Sequence, residues 1–271
     1  MNRRALLGGV GAALSTGLAG CFGGVFGAPE TESFENSYDV GDETVLAVGN
    51  RNGEVTVEHT DDDQLTVSGE KRASSQSALD TITVDVVTGE QFTVEAVFES
   101  GSNFSSRSVD LTVDVPEGVT VDSAATSNGE VTVEEVTGDV AATSSNGDVA
   151  VTDVDGYVAC ETTNGDVRVR GTTGVTAART SNGSVDVELL AMRDDVTCRS
   201  TNGSVTVRVG PDVVAAFRLE TSRGDVEVRD LPHTVTTTRE NRIEGQLRGG
   251  TSPLLRLVTT NGDVTLRPAD E

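Results

Sequence analysis

The chain has 271 residues, 3% of them aromatic and none tryptophan, and a formal net charge of −24. Val, Thr, Gly, Asp and Ser dominate, and β-branched residues with turn-forming Gly point to an all-β fold. A surface this acidic repels nucleic acid and anionic lipid headgroups, which excludes nucleic acid as a partner.

Residues 1–21 read as an export signal. Asn2-Arg3-Arg4-Ala5-Leu6-Leu7 carries a twin arginine, an uncharged Ala/Leu/Gly run follows, and Leu18-Ala19-Gly20-Cys21 closes it. That order resembles a twin-arginine signal ending in a lipobox. It implies lipidation of Cys21 and a membrane partner through the lipid anchor, on the extracellular face. Removing Arg3 and Arg4 would take the net charge from −24 to −26. The alternative is an uncleaved anchor helix from Ala5 to Ala28, which its eight glycines weaken. Residues 22–42 are Gly-rich, then acidic and polar (Pro29-Glu30-Thr31-Glu32-Ser33), and read as a disordered linker.

Residues 43–126 read as a less regular, antiparallel β region. Gln64–Val67, Thr81–Val86, Phe92–Val97 and Val109–Val115 alternate with period two. Such strands would cap the exposed edge of whatever follows.

Residues 127–271 repeat. Asn-Gly, an acidic residue or Ser, then Val-x-Val recurs from Asn128, Asn146, Asn164, Asn182 and Asn202, with a variant from Arg223 and a last copy from Asn261. An isolated early copy begins at Asn52. Repeats near 18–21 residues mean stacked supersecondary units, since one unit cannot bury its own valines. Each unit holds two short strands, the second following a corner at Gly138, Gly156 or Gly174. The expected fold is a β-solenoid with about 18–21 residues per coil. Tandem antiparallel hairpins are the rival, because Asn-Gly is also a hairpin turn.

The stretch from Val109 to Val133 leads through Thr137-Gly138-Asp139-Val140 into Asn146-Gly147-Asp148-Val149. It resembles the putative-adhesin β-strand-repeat family of bacteria and archaea, a domain of unknown function. The resemblance implies a solenoid-like fold on envelope proteins and no catalytic residues. High acidity with a single lysine, Lys71, further resembles surface lipoproteins of halophilic archaea.

Several constellations are candidate sites. Asp148, Asp166 and Asp263 could line one edge as oxygen ligands for Ca²⁺ with Glu130 and the corner asparagines, although turn chemistry also explains the pattern. Arg223-Gly224-Asp225 falls in the corner column, where Arg replaces Asn. Asn103 heads a sequon in a Ser-rich loop and is the best glycosylation acceptor; Asn182 and Asn202 head two more. Cys160 and Cys198 share a repeat column with Ala142 and Ala178, two coils apart, too far for a disulfide, so buried free thiols are expected. His59 and His233 have no ligand partners nearby, and no catalytic or cofactor motif is present. Extra residues at Met192–Asp195, Val209–Asp212 and Leu231–His233 mark the first place to seek a partner.

These readings combine into a non-catalytic, lipid-anchored surface module for adhesion, scaffolding or interaction, with no cofactor and a protein or glycan partner. The alternatives are an ion- or glycan-binding module using the Asn-Gly-Asp edge, and a carbohydrate-active enzyme on a β-helix scaffold.

Overall fold

The computed structural model describes residues 29–41, 43–99 and 106–269. Its strands are short and alternate buried and exposed, the pattern that period-two sequences produce when one face is dry. The first third holds β1 (Glu30–Tyr38), β2 (Val45–Gly49), β3 (Val55–His59), β4 (Leu65–Ala73), one helical turn α1 (Gln76–Leu79), β5 (Ile82–Val87), β6 (Gln91–Phe98) and β7 (Ser108–Val115). The repeats begin with β8 (Thr120–Asn128), β9 (Val131–Glu134), β10 (Ala141–Asn146), β11 (Val149–Thr152), β12 (Tyr157–Glu161) and β13 (Val167–Arg170). They continue with β14 (Gly174–Arg179), β15 (Val185–Leu189), β16 (Val196–Arg199), β17 (Val205–Val209), β18 (Ala215–Glu220) and β19 (Val226–Val228). The chain closes with β20 (His233–Arg239), β21 (Arg242–Leu247), β22 (Leu254–Val258) and β23 (Val264–Pro268).

Two long sheets face each other. Among the described residues, sheet A runs β1-β4-β7-β3-β9-β11-β13-β15-β17-β23-β19, and sheet B runs β20-β21-β18-β22-β16-β14-β12-β10-β8-β2-β6-β5. The repeats stack in parallel: Val131, Val149, Val167, Val185 and Val205 are successive register partners. Their side chains form one dry column with Val133, Val151, Val169, Val187 and Val207, each at most 1% exposed. The hairpin alternative is thereby ruled out for the repeats. Sheet B supplies the facing layer, with small residues in the middle (Ala142, Cys160, Ala178, Cys198) and large ones toward the ends (Phe92, Phe217).

Three expectations need correction. First, residues 22–42 are not all linker: Glu30–Tyr38 pairs antiparallel with the whole of β4. Phe34 lies over Gly69, where a side chain would collide with its ring, and under the Lys71 ammonium, 5.6 Å from the ring centroid; Lys71 also reaches Glu32 at 3.0 Å. Composition hid this strand because its anchor is one aromatic residue among polar neighbours.

Second, residues 43–126 are not a separate antiparallel region. β2, β3, β6, β7 and β8 lie parallel within the same two sheets, and the antiparallel pairs at that end are β1–β4, β4–β7 and β5–β6. β8 crosses the expected boundary at 126/127 and bonds on both sides.

Third, stacking does not follow chain order at either end. The β2–β3 coil sits between the β6–β7 and β8–β9 coils. The last coil, β22–β23, inserts between β16–β17 and β18–β19, so Val205 pairs with Val264 and Val264 with Val226. The β20–β21 hairpin then lies antiparallel on β18.

Candidate functional site

The repeating corner is the place where the sequence concentrates polar chemistry, and its geometry explains each residue. Parallel stacking brings identical side chains into line at the inter-strand spacing, about 4.8 Å. At that spacing a carboxamide can donate to the one beneath it, as in amide ladders of stacked sheets. Asn146 Nδ2 donates to Asn128 Oδ1 at 2.9 Å, and Asn164, Asn182, Asn202 and Asn261 continue the series at 2.8–2.9 Å. Arg223 ends it, donating to Asn261 Oδ1 at 3.0 Å. The Arg-Gly-Asp tripeptide is therefore the last rung of an amide ladder, and it is exposed at the end of the stack.

Glycine follows for a steric reason. Gly165 has φ +152°, and a Cβ there would overlap the carbonyl of Gly147 directly beneath. The next residue accepts a backbone hydrogen from the neighbouring coil. Asp148 Oδ1 takes the Asp166 amide and Asp166 Oδ1 the Ser184 amide, both at 2.8 Å, and Asp263 Oδ1 takes the Asp225 amide at 2.9 Å. Serine serves the same role at Ser204, which receives the Asp263 amide at 3.2 Å.

The candidate calcium ligands are thus committed to the fold. Asp148 and Asp166 also share the Arg168 guanidinium, each at 2.7 Å. Burial would raise the Asp148 carboxyl, but the Arg168 bond and the Asp166 amide hold it below its ordinary range. Among the described residues no three His, Cys, Asp or Glu side chains converge as metal ligands.

One column escaped the sequence reading. In the repeats from Asn128 onward the residue three before the glycine that follows the ladder residue is Thr or Ser, and its hydroxyl donates to the corresponding glycine carbonyl of the adjacent coil. Ser144 reaches Gly129, Thr162 reaches Gly147 and Thr180 reaches Gly165, all at 2.8 Å; Ser200 reaches Gly183 and Thr259 reaches Gly203 at 2.7 Å. The signal was present as a Thr/Ser-x-Asn-Gly spacing. Its meaning required knowing that the next coil lies directly overhead.

The other singled-out residues are dispersed. Cys160 and Cys198 are buried free thiols on either side of Ala178, two strands apart. Burial pushes both thiols up to about 12, which leaves them un-ionised and unreactive. His59 lies 3.7 Å from Asp61, and His233 packs edge-on against Phe217 with Nδ1 2.8 Å from the Leu231 carbonyl. Asn182 and Asn202 spend their carboxamides in the ladder. Arg3, Arg4, Cys21 and Asn103 lie outside the described residues.

The inserted loops opposite the ladder act as clasps. Asp195 Oδ1 accepts the Leu254 amide at 2.8 Å, which ties the Met192–Asp195 loop to the inserted coil. Arg193 stacks 4.1 Å from the Tyr157 ring centroid and bonds Asp139 at 2.8 Å. The Tyr157 amide and Arg193 together hold Asp139 below its ordinary range. Leu190 and Val214 are the exposed apolar residues of this edge. A cleft of about 580 Å³ at the other end is lined by Asp39, Val40, Gly41, Glu43, Thr44, Gly89, Glu90 and Phe92.

These features define a class: an all-β, solenoid-like repeat rod whose regular edge is built from side chains that bond one another. The chain belongs to the Toastrack DUF4097 family, whose model matches residues 44–159 and again 156–267. Each match spans half of the rod and contains one of the two out-of-order coils. Among solved structures, a candidate cell adhesion protein of Clostridium sporogenes is 10% identical over 89% of this chain and 100% of its own, with a TM-score of 0.39. A candidate adhesin of Bacteroides fragilis is 13% identical over 88% of this chain and 97% of its own, with a TM-score of 0.40. A candidate lipid-binding protein of Parabacteroides distasonis is 10% identical over 88% and 96%, with a TM-score of 0.22. No curated protein matches the chain.

Proposed function

We propose that the protein is an exported, lipid-anchored surface rod, a non-catalytic module for adhesion, envelope scaffolding or interaction. The N-terminal order of Arg3, Arg4 and an uncharged run ending at Cys21 supports export and attachment. The observation that carries the non-catalytic reading is the corner ladder. Its Asn, Asp, Ser and Thr side chains are satisfied by neighbouring coils, so the polar edge holds the rod together. What such a rod offers a partner is its two broad sheet faces and its loops. Attachment through Cys21, nine residues before strand β1, would hold the rod close to the outer face of the membrane.

Membrane fractionation of the full chain tests attachment. Wild type stays with the membrane and gains the mass of a lipid on Cys21, and Cys21→Ser is released. A Cys21→Ser chain that remains membrane-bound would overturn the anchor. Asn103 is the glycosylation site this reading favours, and peptide mass spectrometry of native protein should find it modified; an unmodified Asn103 would remove that part of the proposal.

A further inference from the structure

Charge is distributed unevenly along the chain. Residues 1–135 carry 24 acidic and 6 basic residues, and residues 136–271 carry 20 and 14, so the halves stand at −18 and −6. On sheet A, arginines are matched to carboxylates: Arg168 with Asp148 and Asp166, Arg170 and Arg208 with Asp186.

On sheet B, Arg218 and Arg242 share Glu244, but further along the sheet the matching stops. Arg179 and Arg199 are direct register partners on β14 and β16, and Arg256 sits diagonally beside them on β22, opposite Thr197. All three are exposed, and none makes a side-chain hydrogen bond or ion pair among the described residues, although Glu161 neighbours Arg179 in register. Like charges directly opposite each other across a sheet are destabilising. Two side-by-side unpaired arginines in a protein with 44 acidic residues therefore sit there at a cost to the isolated chain.

The complementary arrangement lies on sheet A of the acidic half. Asp114, Glu58 and Glu134 are register partners on β7, β3 and β9 and form a row at the same inter-strand spacing. None of the three has a basic residue as a register partner, and burial, then the Asp114 charge, pushes Glu58 above its ordinary range, with Asp114 raised by burial as well. Thr56, Thr132 and Ala150 beside the acids are small, as are Ala159, Ala177 and Thr197 beside the arginines; Arg218, next to Arg256, is held by Glu244.

We propose that the Arg179–Arg199–Arg256 face of one copy docks on the Asp114–Glu58–Glu134 face of a second copy. The two patches lie on opposite sheets, so the contact is heterologous and leaves both outer patches free. Repeated, it builds an open row of rods. At about 0.15 M salt the Debye length is about 8 Å, which screens repulsion between whole acidic bodies more than it weakens ion pairs in contact. The proposal does not depend on lipid attachment.

Sedimentation of the full chain in neutral detergent at rising concentration tests it. Wild type should grow to a weight-average mass roughly twofold or more that of one copy, without a plateau at the dimer. Arg179→Ser/Arg199→Ser and Glu58→Gln/Glu134→Gln should each stay single. Mixed together, these two variants should stop at the dimer, because each retains only one of the two patches. Arg179→Lys/Arg199→Lys keeps the charge and should associate like wild type, which separates docking from misfolding. A wild type that stays single, a closed dimer, or neutral variants that associate as strongly as wild type would each overturn the proposal.

Discussion

In the middle of the rod, from β10 to β15, every strand lies between the strand one repeat earlier and the strand one repeat later. The core there is thin, with valine on sheet A facing alanine or cysteine on sheet B. At the two ends the order breaks. The first and last coils of the chain are tucked one position inward, and antiparallel strands cover what remains. The comparison teaches that a repeat solves burial only where it has a neighbour on both sides. A terminal coil has one open side, and this chain fills it with Phe92, Phe217 and strands that could not continue the ladder.

The sharpest way to break this contrast is at a corner glycine. Gly165→Ala forces a methyl into the Gly147 carbonyl at φ +152°, and should cost about 4 kcal/mol or more in urea unfolding of the full chain. Gly249→Ala, at φ +78° with open space around it, should cost about 1–2 kcal/mol. Equal costs would show that the corner is not held by stacking.

Core truncation should follow the same gradient. Val167→Ala in the sealed column should lose about 2–3 kcal/mol. Val226→Ala on the half-buried edge strand β19 should lose less than about 1 kcal/mol. A larger loss at Val226 would mean that the terminal coil, not the middle, limits stability.

The amide ladder gives a smaller effect. Asn164→Ala removes the rungs to Asn146 and Asn182 and should cost about 1 kcal/mol. Arg223→Ala removes a single exposed rung and should cost a few tenths of a kcal/mol.

The smallest effect has the opposite sign. Glu58 and Asp114 are raised in the folded chain, so the unfolded chain gives up these protons first as pH rises. Their contribution is most favourable below the ordinary carboxylate range and is lost as pH rises through the folded values. Glu58→Gln should therefore stabilise by a few tenths of a kcal/mol at neutral pH, with the gain shrinking on acidification. Thermal melts across that range would read it, and a Glu58→Gln chain that is less stable at neutral pH would show the row to be favourable as it stands.

Much of the middle was legible in the sequence. Period-two valines after an Asn-Gly recurring at a fixed spacing favoured stacking, because one unit cannot bury its own valines, and the parallel register then decided against tandem hairpins. The cysteine column was legible for the same reason: two coils separate Cys160 from Cys198. The ladder residues were visible, but their partners were not. Asp148 looks the same in sequence whether it binds a cation or the Asp166 amide, and only the neighbouring coil distinguishes them.

The ends were not legible, because local pattern says which face of a strand is dry and not which strand lies next to it. The repeat copy holding Val205 is followed in sequence by the copy holding Val226, yet Val205 pairs with Val264 of β23. Composition and period alone determined an all-β stack with valine inside and asparagine at the corner. Tertiary structure decided the order of the terminal coils, the pairing of β1 with β4, and which charges meet. Those depend on contacts between residues far apart in the chain, where one valine column accepts any other of matching register.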